Sequence, residues 1–506
     1  MSRIKPERWH LPNRIGETHA PAGKRAVVIG GGIAGVAAAT VLAERGVHVS
    51  LIERESNLGG RAGGFQHTLR SGDVIQMERG FHAFFRQYYN LRALLRRIDP
   101  ELSMLSALPD YPILGPEGML QSFRGLPKRT PFQVMALAWR TPHLRLSDLI
   151  HVNGRAAFEM LRFDAARTYR RFDRLSASDY LDSLSFPSAA RRMLFDVFSH
   201  SFFNPESELS AAELLMMFHF YFTGNGEGLI FDVANRPLGR AIWEPFATWL
   251  RARGVDLLLD TRAERVERDE RGVVVRHSSG SIEADDVVLA LDVSALKQLV
   301  AQSPSLAALS ALQALGLTRR FAVWRLWLDR PLRSDRAAFA GTTGIGLLDN
   351  ISRYEIFQDE SAAWSAAHGG SVVELHAYAV PANVDEAFIR ADLLRGLHEL
   401  YPETREARTL DECFLLRQDC PAFPPGSHGL RPTVATALPD VTLAGDFVAM
   451  PFPCALMERA AASGFLAASS LLARHGVSAE PLCSVPTQGL FSLPRRSERP
   501  HENTPV

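Results

Sequence analysis

The chain has 506 residues, 46% hydrophobic and 22% charged, with a formal net charge of zero. That length holds two or three domains around a large core, and the charge balance offers no field to draw in nucleic acid, so no nucleic-acid partner is expected. Cys413, Cys420, Cys454 and Cys483 form no C-x-x-C pair, which argues against zinc and a disulfide framework and suits a reducing cytoplasm; no metal site is expected. The basic residues are nearly all Arg, with Lys only at positions 5, 24, 128 and 297. Residues 1–24 lack the apolar core of a leader and read as a flexible arm. No uncharged apolar run reaches the roughly 18 residues of a membrane span.

Residues 25–110 open with a strand, Ala26 to Ile29, then the glycine turn Gly30-Gly31-Gly32-Ile33-Ala34-Gly35. A small-residue helix from Val36 to Glu44 and a strand from Val47 to Ile52 follow, ending at Glu53. This is the strand–turn–helix–strand context that gives G-x-G-x-x-G its meaning. Gly30 permits the tight turn, Gly32 lets backbone approach a pyrophosphate at the helix start, and Gly35 lets the helix pack close to the sheet. Glu53, placed to bond a ribose 2′-hydroxyl, repels a 2′-phosphate, so NADP is disfavoured; Arg54 beside it joins the same cofactor set. A second glycine turn, Gly59-Gly60-Arg61-Ala62-Gly63-Gly64, comes at once. It resembles the glycine pair of two-dinucleotide-binding flavoproteins, whose backbone and arginine meet the FAD pyrophosphate. An NAD-binding domain, or a glycine turn with no ligand, is the alternative.

The stretch from Met77 to Leu91 is dense in aromatics, with Glu78, Arg79, His82 and Arg86 among them. Charged groups are costly to bury unpaired, so it reads either as plain core or as a wall of a flavin or substrate cavity. Residues 111–235 read as mostly helical. Phe132 to Arg140 is amphipathic with basic flanks, as in a helix lying in a membrane interface or an internal helix of a cap. Further helices are expected over 149–172, 176–184, 189–201 and 210–222; the last, rich in Met and aromatics, suits core or a cavity for a long apolar ligand.

Residues 236–300 return to short strands, over 254–259, 263–267, 272–277 and 286–291. Residues 301–430 carry strands at Arg320 to Leu328 and Gly370 to Ala379 and a helix over 385–401, giving a mixed sheet. Residues 431–475 hold a strand ending in Gly445-Asp446, a loop with two prolines, and a small-residue helix to about Leu472, with Ala455 and Leu456 at its start. This block, about 400 residues after the first turn, resembles a C-terminal flavin motif, in which the aspartate bonds the ribityl chain or pyrophosphate and the helix dipole faces the pyrimidine ring. Residues 476–506 read as a tail.

Together GGGIAGVAAATVLAERG (30–46), GGRAGGF (59–65), MERGFHAFFRQYYNLRALLRRIDP (77–100), AGDFVAMPFPCALMERAAASGF (444–465) and PLCSVPT (481–487) resemble the phytoene desaturase/amine oxidase superfamily, and within it the bacterial carotene phi-ring synthases. The resemblance implies an α/β fold, a Rossmann-like FAD-binding domain of the GR2 type with a mixed-sheet and helical substrate domain. It implies FAD contacts from Gly30, Gly32, Ile33, Ala34, Gly35, Glu53, Arg54, Gly60, Arg61, Ala62, Gly80, Phe81, Gly445, Asp446, Ala455 and Leu456, with backbone near Val266 bracketing the adenine.

The chemistry implied is aromatisation of the β-ionone rings of β-carotene. A ring carbon bearing two methyls cannot become aromatic, so four hydrogens must leave each ring and one methyl must move. Hydride loss leaves an allylic cation; Glu78, Phe81, Phe84 and Phe85 are candidates to stabilise it, and His82, Glu78 or Glu458 to take the proton. The substrate class implies a membrane surface, at the inner face of the cell membrane, and an external electron acceptor such as a quinone. The flavin-proximal lysine of amine oxidases has no counterpart in Leu317-Thr318-Arg319-Arg320-Phe321. Rival readings are an acyclic carotenoid desaturase or isomerase, an amine oxidase, and a carrier resembling GDI proteins.

Overall fold

The computed structural model describes residues 6–491 except 10, 12, 14, 109, 131, 141–151, 186–190, 192–201 and 271. Five parallel strands form the central sheet, in the order Asp256–Leu258, His48–Ile52, Arg25–Ile29, Asp286–Leu289 and Val441–Leu443. Apart from Asp256–Leu258 at the edge and the first residues Arg25 and His48, their side chains are buried, as in Val27, Val28, Leu51, Val287, Val288 and Leu289; strands apolar on both faces suit a parallel sheet covered on both sides. One cover is the helix Ile33–Glu44, packed in turn on the helix Leu456–Ala473. The first is apolar on every side, the signature of a fully buried helix. Glycine sets their approach: a Cβ on Gly464 would lie 2.2 Å from the Ala34 carbonyl oxygen, and one on Gly35 would lie 1.8 Å from that of Gly30. The antiparallel meander Ala263–Asp269, Gly272–His277, Gly280–Ala284 completes this half.

The other half is a mixed sheet of seven strands. Thr409–Arg417, Arg320–Leu328, Ser371–Val380, Asn350–Arg353 and Phe339–Thr342 run antiparallel to their neighbours. Ile113–Gly115 and Gly118–Gln121 extend it through one parallel pairing, Ile113–Gly115 against Phe339–Thr342. The helix Glu386–Leu400 buries Ile389, Leu393 and Leu397 beneath this sheet.

Several expectations are corrected. The stretch 111–235 is not simply helical, since Ile113–Gly115, Gly118–Gln121 and Phe231–Ala234 are strands. The helix expected over 149–172 is two, Gly154–Leu161 and Ala165–Phe172, because Asp164 caps the second by accepting from the Arg167 N–H at 3.0 Å. Its first residues, and the helix expected over 189–201 apart from Arg191, lie outside the described residues. The flexible arm and tail meet: Glu7–Trp9 pairs antiparallel with Leu482–Ser484, and Trp9 rests on Phe452 with ring centroids 5.6 Å apart.

Candidate functional site

The first glycine turn is held by its own carboxylate. Gly30 has φ +106°, and a Cβ there would lie 2.4 Å from the Ala290 carbonyl oxygen. Gly31 N–H donates to Glu53 Oε2 at 2.6 Å, and Glu55 N–H donates to Oε1 at 2.9 Å. A carboxylate has about four lone-pair sites, so Glu53 pins the loop and still presents oxygen to the space beside it. No side chain caps the helix at Gly32, leaving the N–H groups of its first turn to an outside acceptor.

The second turn docks on the first through Gly59 N–H, which donates to the Gly31 carbonyl at 2.8 Å. Trp243 Nε1–H holds its far end, donating to the Ala62 carbonyl at 2.7 Å. From this turn Arg61 reaches across to Asp446, Nη2 to Oδ1 at 2.6 Å. Gly445, at φ +152°, donates its N–H to Ser463 Oγ at 2.9 Å, fixing Asp446 against the helix Leu456–Ala473.

These groups surround one cavity of about 1220 Å³. Gly30, Gly32, Ile33, Ala34, Glu53, Arg54, Gly60, Arg61, Ala62, Gly80, Phe81, His82, Gly445, Asp446 and Leu456 all line it. His82 Nδ1 faces no hydrogen-bond partner although buried, and burial holds the imidazole down at about 4, so the ring is neutral at physiological pH. Arg459, which no motif reading picked out, lines the cavity too; it donates to the Asp446 carbonyl at 3.2 Å and pairs with Glu213 at 2.5 Å. Burial opposes ionisation of Glu213, but Arg459 and Arg431 hold its carboxyl down at about 2.

Other expected site residues stand away from the cavity wall. The Glu78 carboxylate turns inward, ion-paired to Arg325 at 2.9 Å and accepting from Leu238 N–H and Gln358 Nε2, each at 3.0 Å. Burial raises its pKa, with Arg325 opposing. Glu458 accepts from Asn90 N–H at 2.9 Å, Asn90 Nδ2 at 2.6 Å and Leu91 N–H at 2.9 Å, so it satisfies the start of the helix Tyr89–Leu95. Burial pushes its carboxyl up to about 8, against the pull of those donors. Neither carboxylate lines the cavity, and each accepts three hydrogen bonds from partners more than a hundred residues away in the sequence. Phe84 is buried outside the cavity, whereas Phe81 and Phe85 line it. The Val266 N–H donates to Ser303 Oγ at 2.9 Å and its carbonyl accepts from Ser305 Oγ at 2.6 Å; Val266 does not line the cavity, whereas Thr261 to Arg265 do. Gly35 serves helix packing, and Ala455 lies buried at the head of its helix.

The far end of the cavity is aromatic. Phe81 stacks on Phe339 with centroids 4.4 Å apart, Tyr111 lies 4.8 Å from Phe231, and Phe85 lies 4.8 Å from Tyr221, whose hydroxyl meets that of Tyr88 at 2.9 Å. A pocket for one ligand is usually ~300–1,000 Å³, so this one has room for a nucleotide and a second, apolar molecule. Among the described residues no His, Cys, Asp and Glu cluster is arranged to hold a metal.

A Rossmann-type sheet whose two glycine turns and Gly445-Asp446 segment converge on one cavity defines a dinucleotide-binding oxidoreductase. The family described as flavin containing amine oxidoreductase matches residues 33–472. A carotenoid phi-ring synthase of Streptomyces griseus is 47% identical, covering 94% of this chain and 95% of its own. Another, from Chlorobaculum tepidum, is 28% identical over 93% and 91% of the two chains. Among solved structures, cyclohexylamine oxidase from Brevibacterium oxydans superposes with a TM-score of 0.62 at 16% identity, over 89% of this chain and 99% of that one. The chain belongs to the flavin-containing amine oxidoreductase family and, within it, groups with the carotenoid phi-ring synthases. FAD is its cofactor, and the residues present fit that group: uncapped helix N–H groups for a pyrophosphate, the Glu53 carboxylate for a ribose, and side-chain-free backbone at Gly32 and Gly60.

Proposed function

We propose that this enzyme converts the β-ionone rings of a carotenoid, β-carotene in the first instance, to aromatic phi rings by desaturation with methyl migration. The observation that carries this is the 47% identity to a phi-ring synthase across nearly the whole of both chains, joined to a cavity whose far end is aromatic. In this reading Gly32, Ile33, Ala34, Gly60 and Arg61 hold the FAD pyrophosphate, Glu53 the ribose, and Asp446 the ribityl side. Bound FAD supplies a two-electron acceptor for ring hydrogens. Phe81, Phe85 and Phe339 exclude water and turn π faces toward the ring cation during the methyl shift. Expression in a host that accumulates β-carotene tests this, with pigments resolved by chromatography and mass. Aromatic end groups on an unchanged C40 skeleton are expected; unaltered β-carotene, or desaturation of lycopene or phytoene alone, contradicts it.

We also propose that the enzyme works at a membrane surface, where the carotenoid resides and where a quinone is at hand as the external acceptor. Among the described residues no helix is long and apolar enough to cross a membrane. The helix Phe132–Arg140 turns Phe132, Met135 and Trp139 outward at 45%, 60% and 78% exposure, three and four residues apart, with Lys128, Arg129 and Arg140 flanking. Gln133 anchors its other face, donating to Thr130 Oγ1 at 2.8 Å and to the Phe222 carbonyl at 2.7 Å. The pattern is that of an interfacial helix, apolar on one face with basic flanks. Replacing all three apolar residues with serine should weaken co-sedimentation with phosphatidylglycerol-containing vesicles at least ~10-fold, each side chain being worth up to ~1.5–3 kcal/mol when buried. Flavin content should be unchanged. Equal sedimentation of variant and parent rejects this helix as the contact.

A further inference from the structure

We propose that Tyr378 takes the proton that the carotenoid ring sheds and passes its own to His376, with Glu374 as the positioning residue. The assignment rests on the function proposed above. The strand Ser371–Val380 is apolar apart from Ser371 and these three. Residues two apart share a face of a strand, so Glu374, His376 and Tyr378 form one polar row, and the last two line the cavity. The row is hydrogen-bonded end to end: Glu374 Oε1 to His376 Nε2 at 2.7 Å, and His376 Nδ1 to the Tyr378 hydroxyl at 2.7 Å.

The direction of the protons follows from the inner end. Glu374 is fully buried; burial opposes its charge, but Arg325, 2.8 Å away, holds the carboxyl down at about 2. An ionised carboxylate only accepts, so His376 Nε2 carries the hydrogen. In the neutral ring Nδ1 is then the acceptor, and the Tyr378 O–H donates to it. Asn350 Nδ2 donates to the Tyr378 oxygen at 3.0 Å, which leaves that oxygen a lone pair. A carboxylate fixing an imidazole that draws a proton from a hydroxyl is the logic of the serine-protease triad, with a phenol in place of the serine.

In the step itself a C–H bond of the ring cation breaks, and its electron pair closes a ring C=C. The proton bonds to the Tyr378 oxygen as the phenolic proton passes to His376 Nδ1, and the imidazolium is held against Glu374. The hydride lost earlier, with its two electrons, goes to FAD. His82 lines the same cavity but has no such support. Its Nδ1 is without a partner and no carboxylate among the described residues hydrogen-bonds its ring, so a proton there has no directly bonded counter-charge.

The test uses FAD-loaded enzyme, a quinone as electron acceptor, and β-carotene in mixed micelles. Tyr378→Phe should lower formation of aromatic product by roughly 10²–10⁴-fold, the range of a lost acid–base group, with flavin content intact. His376→Ala should fall comparably and regain at least ~10-fold on addition of imidazole, which replaces a lost acceptor but does not repair a folding defect; Tyr378→Phe should not respond. Independently of turnover, a deshielded imidazole N–H proton resonance should be present in the parent, absent in His376→Ala and displaced in Glu374→Gln. Parent-like turnover in Tyr378→Phe, loss in His376→Ala without rescue, or loss confined to His82→Gln overturns the assignment. A parent enzyme inert toward β-carotene overturns the function beneath it, so the two failures are separable.

Discussion

Asp446→Ala yields protein that is purified without its flavin. Among the described residues Asp446 is the one carboxylate bonded to Arg61, at 2.6 Å, and that contact joins the second glycine turn to the C-terminal segment, 385 residues on. Without it Arg61 loses a charge-assisted partner at the cavity wall, and the dinucleotide loses a fixed arginine together with the aspartate itself. A hydrogen bond to a charged group is worth about 1.5–3 kcal/mol, and two of them compound to a roughly 10²–10⁴-fold weaker Kd. Arg61→Lys keeps the charge but not the planar fork that reaches two acceptors at once, and is expected to fall between parent and Asp446→Ala. The measurement is the ratio of flavin to protein absorbance after gel filtration, followed by FAD titration of the stripped protein. Full flavin occupancy in Asp446→Ala removes this pair from the binding site.

Arg325→Met is expected to cost the fold more than any substitution in the cavity wall. Arg325 is 1% exposed and bonds Glu78 at 2.9 Å and Glu374 at 2.8 Å, with the Tyr354 ring 3.7 Å from its guanidinium carbon. Its loss leaves two carboxylates facing each other in the interior. Breaking one buried pair costs about 3–5 kcal/mol because a charge is stranded, and here two are. Denaturant unfolding and soluble yield read the effect, and both should collapse relative to the parent. Glu78→Gln is the milder partner: its amide oxygen still accepts from Leu238 and Gln358. Its loss should register in unfolding and not in turnover per folded molecule. A Glu78→Gln enzyme of normal stability and negligible turnover would return Glu78 to the chemistry.

The glycine turns were legible because each rests on a local constraint. Positive φ at Gly30 and Gly59, close helix packing at Gly35, and a carboxylate at the end of the second strand are all written within forty residues. The surroundings of Glu78 and Glu458 were not legible, for the opposite reason. A carboxylate in an apolar stretch announces a partner, but the partner's position depends on the tertiary fold: Arg325 for Glu78, and the start of the helix Tyr89–Leu95 for Glu458. Val266 differs at finer scale: one residue along the strand from Arg265, which lines the cavity, its backbone is bonded to Ser303 and Ser305. The row Glu374, His376, Tyr378 carried a signal that went unread, three polar residues at period two in an otherwise apolar strand. Phe339 and Phe231 gave none; their meeting with Phe81 is set by the pairing of strands far apart in the chain.

In the proposed reaction one cavity brings FAD and a carotenoid ring together so that hydrogens leave the ring as hydride and proton. Anaerobic addition of β-carotene to the purified holoenzyme tests it most directly, with flavin absorbance and pigment mass read from the same sample. Bleaching of the oxidised flavin band, with a product two hydrogens lighter for each flavin reduced and no carbon lost, is the expected result; the second pair of hydrogens leaves each ring once an added quinone reoxidises the flavin. A flavin that stays oxidised with β-carotene and is reduced by an amine instead would contradict the account.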